Sequence, residues 1–230
     1  MIDARRAERR LALFDLDHTL LSGDSDVLWC EFLMHEGVLD RAEFQPRNDE
    51  MARRYGEGTV SAQDFCEFYV STLAGRTPAD WRPWCERFLR DVVAPRIPAS
   101  AIDLVESHRA RGDRLVLTTA TNRVLTELTA ARLGIADLLA TEVELVDGRC
   151  TGRTRDVLNM REGKVTRLRS WLAGQGVDAD PALASATFYS DSSNDLPLLQ
   201  AVGHPVIVDP DAGLRRHAQS HGWRLLELAR

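Results

Sequence analysis

The sequence predicts an α/β fold: a Rossmann-like parallel sheet with helices on both faces, plus an inserted all-helical cap subdomain. Two observations lead to this prediction. Short apolar runs alternate with helix-like segments along the chain, which is typical of a parallel sheet built from strand and helix units. Almost a hundred residues separate the first apolar run from the second, far more than a crossover helix requires.

Four apolar runs are the predicted strands, and each one ends in polar residues. They are LALFDL, DRLVLTTATN, ATFYSDSSND and PVIVDPD. Ligands of parallel α/β sheets bind beyond the carboxyl ends of the strands. We therefore expect the four polar ends to line one crevice.

The long insertion has the periodicity of helices. Glycines separate four periodic segments, and Ser61 and Thr77 are typical helix starts. This pattern predicts a helical cap over residues 23–95, inserted into a core formed by residues 1–22 and 96–230. The predicted core of the cap is aromatic and consists of Trp29, Phe32, Phe65, Phe68, Trp81, Trp84 and Phe88.

The remaining chain continues the alternation. PASAIDLVESHRARG, NRVLTELTAARLG and GKVTRLRSWLAGQG have the pattern of helices, and AGLRRHAQSHGWRLLEL that of a helix followed by a short strand. The dipeptide Asp147-Gly148 is a strong hairpin signal.

Composition narrows the class of partner. The 230 residues carry a net charge of −6, so neither nucleic acid nor an anionic membrane is expected as a partner. No apolar run approaches the roughly 18 residues of a membrane span, and the arginine-rich start lacks a signal-peptide core. The four cysteines have no metal or disulfide spacing. We expect a cytoplasmic monomer or homodimer that binds a small ligand.

Two carboxylates one residue apart end the first strand. Asp15 and Asp17 repel each other unless a cation or a reaction uses them. This pattern suits Mg²⁺, which prefers hard oxygen ligands, although the two residues alternatively cap a turn. Asp191 ends the third strand and is placed to complete a metal site. Asp195 is placed to anchor the loop, and it equally suits a helix start.

Two further residues favour a phosphate ligand. The hydroxyl of Thr119 and the N–H groups at the start of the following helix suit a phosphate oxygen. Thr118 and Thr121 are close in the sequence and could take this role instead. An ordinary strand threonine is the other alternative. Lys164 is the only lysine among 29 basic residues. The chain uses Arg at every other basic position but keeps Lys, a compact point charge, at this helix start. This choice indicates a function for Lys164; the alternative is that evolutionary drift left one lysine.

The motifs DLDHT, TT, K and DSSND, in this order, resemble those of the haloacid dehalogenase-like superfamily over nearly the whole chain. The insertion after the first motif is similar to the cap of the phosphoserine-phosphatase-like branch. Dehalogenases of the superfamily lack a second Asp two positions after the first, so Asp17 favours a phosphatase. A catalytically silent binding module is disfavoured because every motif residue is present.

The resemblance implies magnesium-dependent hydrolysis of a small phosphomonoester. Asp15 would be the nucleophile that forms an aspartyl-phosphate, and Asp17 the general acid and base. Magnesium would be held by Asp15, Asp191 and the backbone carbonyl of Asp17. The expected supporting residues are Thr119 and Lys164 on the phosphoryl oxygens and Asp195, which holds Lys164.

The substrate is less sharply predicted. Asp24 stands where phosphoserine phosphatases carry an acid that binds the substrate amine, and it equally suits the N-cap of the first cap helix. Asn122 and Asn194 are the other predicted substrate-binding residues. The candidates for binding a carboxylate are Arg47, Arg53 and Arg54. TATNR and GHPVIVDPDAGL resemble a bacterial subgroup for which histidinol phosphate is the best prediction. Phosphoserine, or phosphoryl transfer to an alcohol, are the alternatives.

Overall fold

A seven-stranded sheet forms the centre of the computed structural model, which describes residues 9–229. The strands are β1 Leu11–Phe14, β2 Arg114–Asn122, β3 Asp137–Val146, β4 Arg149–Arg155, β5 Thr187–Ser190, β6 His204–Val208 and β7 Arg224–Leu226. Their order is β4-β3-β2-β1-β5-β6-β7, and every neighbouring pair is parallel except β3 and β4. The predicted fold class is confirmed.

Ten α-helices accompany the sheet in the described residues. They are α1 Ser25–His35, α2 Arg41–Gly56, α3 Ala62–Val70, α4 Pro78–Phe88, α5 Ala99–Ala110, α6 Arg123–Arg132, α7 Glu162–Ala173, α8 Ala179–Ser185, α9 Leu196–Ala201 and α10 Ala212–Ser220. None of the helices within residues 9–229 is both long and apolar enough to cross a bilayer.

Strand β1 is buried on both faces of the sheet. Ala12 and Phe14 pack into one hydrophobic cluster, while Leu11 and Leu13 pack into another on the opposite face. All four side chains are at most 4 % exposed, which explains why the strand is a continuous apolar run without alternation. The strand lies between β2 and β5, so its carboxyl end is at the middle of the sheet.

Helices α1 to α4 occupy the chain between β1 and α5, where the helical insertion was predicted. Ser61 and Thr77 are the N-caps of α3 and α4, as expected, and Thr77 forms a reciprocal capping box with Asp80. The domain boundaries at 22/23 and 95/96 stay a prediction. A compact helical unit is inserted, but part of its packing is continuous with the sheet.

The expectation of a single aromatic core in the insertion is wrong. Trp29 and Phe88 pack in the same cluster as Phe14 of the sheet, whereas Phe65 belongs to a separate cluster with Tyr69. The physical reason is that α1 is apolar on more than one side. Trp29 and Phe32 face the first cluster and Cys30 and Met34 face the second.

The predicted hairpin joins β3 and β4. Val146 pairs with Arg149, and Asp147 and Gly148 between them have φ of 50° and 77°. Positive φ at both positions is the requirement of the tight hairpin turn that an Asp-Gly pair favours. All four cysteines are free and buried, so none forms a disulfide.

Candidate active site

The carboxyl ends of β1, β2 and β5 meet at one edge of the sheet and surround a small cavity. Its volume is about 40 Å³. The lining residues are Asp15, Asp17, His18, Asp24, Asp26, Tyr55, Phe65, Ala120, Thr121, Met160, Lys164, Asp191, Ser192, Asn194 and Asp195. A larger cavity of about 640 Å³ lies beside it and shares His18, Asp24, Tyr55, Asp191, Ser192 and Asn194.

Three of the four predicted strand ends reach this cavity. The fourth does not, because Asp211 after β6 is turned to the start of α10, where its Oδ1 accepts from the N–H groups of Gly213 and Leu214. Asp211 lines only the larger, outer cavity. The expectation that all four ends share one crevice is therefore corrected to three.

Lys164 forms a buried ion-pair triad with two carboxylates. Its Nζ donates to Asp15 Oδ1 and to Asp195 Oδ2, both at 2.7 Å. Ser190 Oγ donates to the same oxygen of Asp195 at 2.7 Å. Burial lowers the pKa of Lys164, but Asp15 and Asp195 outweigh burial and raise the pKa above its ordinary value. Lys164 therefore stays charged, and Asp195 fixes its position.

Gly163 allows the start of α7 to approach the preceding loop. A Cβ atom at this position would overlap the backbone carbonyl of Leu158. Only glycine permits the close approach that sets the first turn of α7 and, with it, the backbone of Lys164.

Thr19 connects the two carboxylates predicted to bind a metal. Its hydroxyl lies 2.9 Å from Asp191 Oδ1 and 3.4 Å from Asp15 Oδ2, and it accepts from the N–H of Asp191 at 3.1 Å. Asp15 and Asp191, 176 positions apart in the sequence, are thus brought to the same hydroxyl group.

Burial and like charge act on both carboxylates. Burial raises the pKa of Asp15 well above its ordinary range; Lys164 opposes this, while Asp195, Asp191 and Asp17 add to it. Burial also raises the pKa of Asp191 to about 6, with Thr19 opposing. A cation beside the two carboxylates would offset these penalties.

The donor set fits a hard divalent cation. Within residues 9–229 no group of three or more His, Cys, Asp or Glu side chains forms a metal cluster. The predicted set needs only two carboxylates, Asp15 and Asp191, with the backbone carbonyl of Asp17 as the third ligand. Oxygen donors with open positions for water or phosphate are what Mg²⁺ prefers.

The side chain of Asp17 is held by the start of the cap and by the end of β2. Its Oδ1 accepts from the N–H of Ser25 at 2.6 Å. Its Oδ2 accepts from the hydroxyl of Thr119 at 3.2 Å and lies 3.0 Å from Thr121 Oγ1. Thr121 lines the cavity, whereas Thr119 is fully buried and is not among the lining residues.

Asp24 is the N-cap of the first cap helix and also lines the cavities, so its position fits both predictions. Its Oδ1 caps α1 by accepting from the N–H groups of Asp26 and Val27, and the residue lines both cavities. Burial, followed by repulsion from Asp17, raises the pKa of Asp24 to about 7.

Asn194 lies at the cavity and Asn122 does not. Asn194 lines both cavities, and its Oδ1 accepts from Nε of Arg161 at 3.0 Å. Asn122 is instead the buried N-cap of α6, where its Oδ1 accepts from the N–H of Leu125. The prediction of Asn122 as a substrate-binding residue is not supported, because this capping role turns its side chain into the protein.

None of the three arginines proposed for a substrate carboxylate lines either cavity. Arg47 pairs with Glu43, and Arg53 with Glu50 and Glu57. Arg54 donates to the carbonyl of Thr59. Each of these arginines pairs or hydrogen-bonds with a residue of its own helix or just beyond the helix end.

Sequence reasoning assigned no role to several residues that build the site. They are Thr19, Asp26, Tyr55, Thr121, Asn159 and Ser190. Asn159 Nδ2 lies within 3.0 Å of Thr118 Oγ1 and of the carbonyls of Thr119 and Leu139, so it ties the end of β2 to β3. Two of them carried a signal: Thr19 ends the DLDHT motif, and Thr121 was an alternative to Thr119.

Comparison with known proteins agrees with this geometry. Residues 12–200 match the haloacid dehalogenase-like hydrolase family. The chain belongs to this family. A protein from Neisseria meningitidis serogroup C (strain 8013) named histidinol-phosphatase is 36 % identical over 219 residues, which is 95 % of this chain and 98 % of the relative.

Solved structures share the fold of the chain. A crystal structure of a protein of unknown function from Bordetella pertussis Tohama I has a TM-score of 0.90 and 46 % identity, with 96 % of this chain and 99 % of that chain covered. A phospho-aspartyl intermediate analogue of phosphoserine phosphatase shares the fold, with a TM-score of 0.68, 15 % identity, and 96 % and 94 % coverage. This haloacid dehalogenase-like hydrolase is a phosphatase of the phosphoserine-phosphatase-like branch.

Proposed function

We propose that the enzyme is a magnesium-dependent phosphatase for a small amino-alcohol phosphate, with histidinol phosphate as the first candidate. The observation that carries the proposal is the chemistry of the two cavities. Asp24 and Asp26 face a substrate with carboxylates, Tyr55 and Phe65 supply aromatic surface, and no arginine lines either cavity within the described residues. Such a lining favours a cationic, aromatic substrate without a carboxylate.

The relative from Neisseria named histidinol-phosphatase supports the same choice. Phosphoserine differs from histidinol phosphate in carrying a carboxylate, which would sit among Asp17, Asp24 and Asp26 without a guanidinium partner. Repulsion there disfavours phosphoserine.

The reaction begins with attack by a carboxylate oxygen of Asp15 on phosphorus. The bond from phosphorus to the alkyl oxygen breaks, and the leaving oxygen takes a proton from Asp17. Water then attacks the aspartyl-phosphate and gives a proton to Asp17, which breaks the bond to Asp15 and releases phosphate. Lys164, held by Asp195, offsets the charge on the phosphoryl oxygens.

The contacts of Asp17 suit this dual role. Its Oδ2 lies between two hydroxyls, Thr119 and Thr121, which are able to donate to the carboxylate or accept from the acid. Magnesium held by Asp15, Asp191 and the carbonyl of Asp17 would supply positive charge that lets an anionic nucleophile meet an anionic phosphate.

The inner cavity of about 40 Å³ holds no more than about one or two water molecules. We therefore expect the cap to move relative to the sheet when a phosphate ester binds. The hydrogen bond from Ser25 N–H to Asp17 lies at that junction, so we expect cap closure and the orientation of Asp17 to be coupled.

The test is a comparison of kcat/KM for histidinol phosphate, phosphoserine and p-nitrophenyl phosphate, with Mg²⁺ and with EDTA. We expect Mg²⁺-dependent release of phosphate from all three, with histidinol phosphate at least about tenfold above phosphoserine. Adding alcohols and analysing products separates hydrolysis from phosphoryl transfer. A preference for phosphoserine, or a new phosphate ester as main product, would contradict the proposal.

A further inference from the structure

Asp26 is a buried carboxylate with one oxygen unused by the protein. Its side chain is 3 % exposed and lines the inner cavity. Its Oδ2 accepts from the hydroxyl of Thr121 at 3.0 Å, while Oδ1 has no hydrogen-bond partner within residues 9–229. An unpaired buried carboxylate oxygen is costly for a folded protein, so its presence beside a cavity indicates a ligand.

Within residues 9–229, no nearby cation lowers the pKa of Asp26. Burial raises its pKa first, and the charges of Asp24 and Asp17 raise it further. Burial, followed by the charge of Asp26, raises the pKa values of the Cys30 and Cys66 thiols. Lys164, which lines the inner cavity, donates instead to Asp15 and Asp195.

A single hydroxyl group separates Asp26 from the proposed proton donor. Thr121 Oγ1 is 3.0 Å from Asp17 Oδ2 and 3.0 Å from Asp26 Oδ2. A leaving oxygen bound to Asp17 therefore lies within two or three hydrogen-bond lengths of Asp26. That separation suits a nitrogen on the carbon next to the esterified one, as in a vicinal amino alcohol.

We infer that Asp26 is a specificity-determining residue whose Oδ1 accepts a hydrogen bond from a substrate ammonium group vicinal to the phosphate ester. The inference rests on the proposed function and adds to it the residue that selects the amine. Asp24 is less suited to this task, because its Oδ1 already caps α1.

The test uses pairs of esters that differ only in the amine. Histidinol phosphate is compared with the deaminated ester, imidazolylpropanol phosphate, and ethanolamine phosphate with ethyl phosphate. The enzymes are wild type, Asp26→Asn, Asp26→Ser and the control Asp103→Asn, which changes an exposed carboxylate on α5. The measured quantity is the ratio of kcat/KM within each pair, with thermal midpoints recorded for all four proteins.

We expect the wild type and Asp103→Asn to prefer the aminated ester by at least about tenfold, and both Asp26 variants to lose most of that preference. Equal losses on both members of a pair would assign Asp26 to structure and overturn the inference. The inference would also be overturned if wild type hydrolysed the aminated and the amine-free ester equally well. That result does not depend on whether the variants fold.

A failure of the proposed substrate can be told apart from a failure of the role proposed for Asp26. If wild type hydrolyses p-nitrophenyl phosphate but not histidinol phosphate, the proposed substrate is wrong. The role of Asp26 is then decided by the ethanolamine phosphate pair, and absence of an amine preference there overturns it too.

Discussion

Lys164 and Asp15 form an ion pair of 2.7 Å in which the side chains are only 3 % and 9 % exposed. The pair joins residues 149 positions apart and places the only lysine of the chain against the proposed nucleophile. Breaking a buried ion pair leaves an uncompensated charge, which typically costs about 3–5 kcal/mol. Loss of the Lys164 charge is therefore expected to affect both activity and stability, whereas loss of the Asp15 charge leaves Lys164 paired with Asp195.

Replacement of Lys164 by Arg is expected to lower kcat/KM for p-nitrophenyl phosphate by at least about 100-fold. Charge is retained, but a planar guanidinium does not fit the space in which one nitrogen donates to both Asp15 and Asp195. The control is Arg169→Lys. Arg169 lies on the same helix as Lys164 and forms an exposed ion pair with Asp180 of the next helix, so kcat/KM of this variant should stay within about twofold of wild type. Normal turnover by Lys164→Arg would remove the case for a point charge.

Asp15→Asn is expected to abolish turnover, with a loss of at least about 10⁴-fold, because the amide is a poor nucleophile of nearly the same volume. The thermal midpoint should change little or rise, since a buried carboxylate with a raised pKa is removed. Phosphate release and circular dichroism are the measurements. Substantial activity in this variant would rule out a covalent intermediate on Asp15.

Asp17→Asn should separate substrates by their leaving groups. Loss of the general acid is expected to lower kcat/KM for alkyl phosphates by about 10²–10⁴-fold, and less for p-nitrophenyl phosphate, whose leaving group needs no proton. Rapid-quench kinetics should show a burst of p-nitrophenol, because the variant also lacks the base that activates water. Equal losses on alkyl and aryl esters would argue against acid catalysis by Asp17.

Gly163→Ala should impair catalysis without touching a reacting group. The added Cβ would overlap the carbonyl of Leu158, so the start of α7 must shift and carry Lys164 with it. We expect kcat to fall at least about tenfold. Gly174→Ala, at the other end of the same helix, is the matched control, because a Cβ there comes no closer than 3.4 Å to its neighbours, and it should be active. If the two variants were equally active, the close approach at Gly163 would have no catalytic consequence.

Metal binding should stabilise the enzyme more at high pH than at low pH. Folding raises the pKa of Asp191 to about 6, so the folded state binds this proton more tightly and the associated stability is lost as pH rises through about 6. Above about pH 6 Asp191 is charged, and a cation offsets its repulsion with Asp15. Below that pH a proton on Asp191 competes with the cation.

The corresponding measurement is the shift in thermal midpoint between EDTA and Mg²⁺. We expect an increase of several degrees at pH 8, a much smaller one at pH 5, and almost none for Asp191→Asn at either pH. Equal shifts at both pH values, or a full shift in Asp191→Asn, would place the cation elsewhere.

Much of the site could be predicted because strand ends leave a local signature. Asp15, Asp17 and Asp191 each follow a buried apolar run, and parallel strands bring such ends to one edge. Lys164 was recognisable from composition alone. Its ion pairs with Asp15 and Asp195 agree with the predicted arrangement, while the chemical roles of these residues stay predictions.

Other residues could not be assigned from the sequence, because their roles depend on which side of an element they face. Asn122 and Thr121 are neighbours with equally polar side chains, yet one caps α6 and the other reaches Asp17. Asp24 and Asp26 both suit a helix start, and only the packing reveals that one is a cap and the other is left with an unpaired oxygen.

The triad around Lys164 draws its members from the end of β1, where Asp15 follows the strand, from α7 and from the turn after β5. No continuous stretch of the chain contains the whole active site. Turnover therefore depends on how much of the protein has a correctly folded sheet. A drop in rate caused by a distant substitution therefore has two sources, a lost chemical contribution or a smaller fraction of assembled molecules. Rates become interpretable for this enzyme only when normalised to the assembled fraction at the assay temperature.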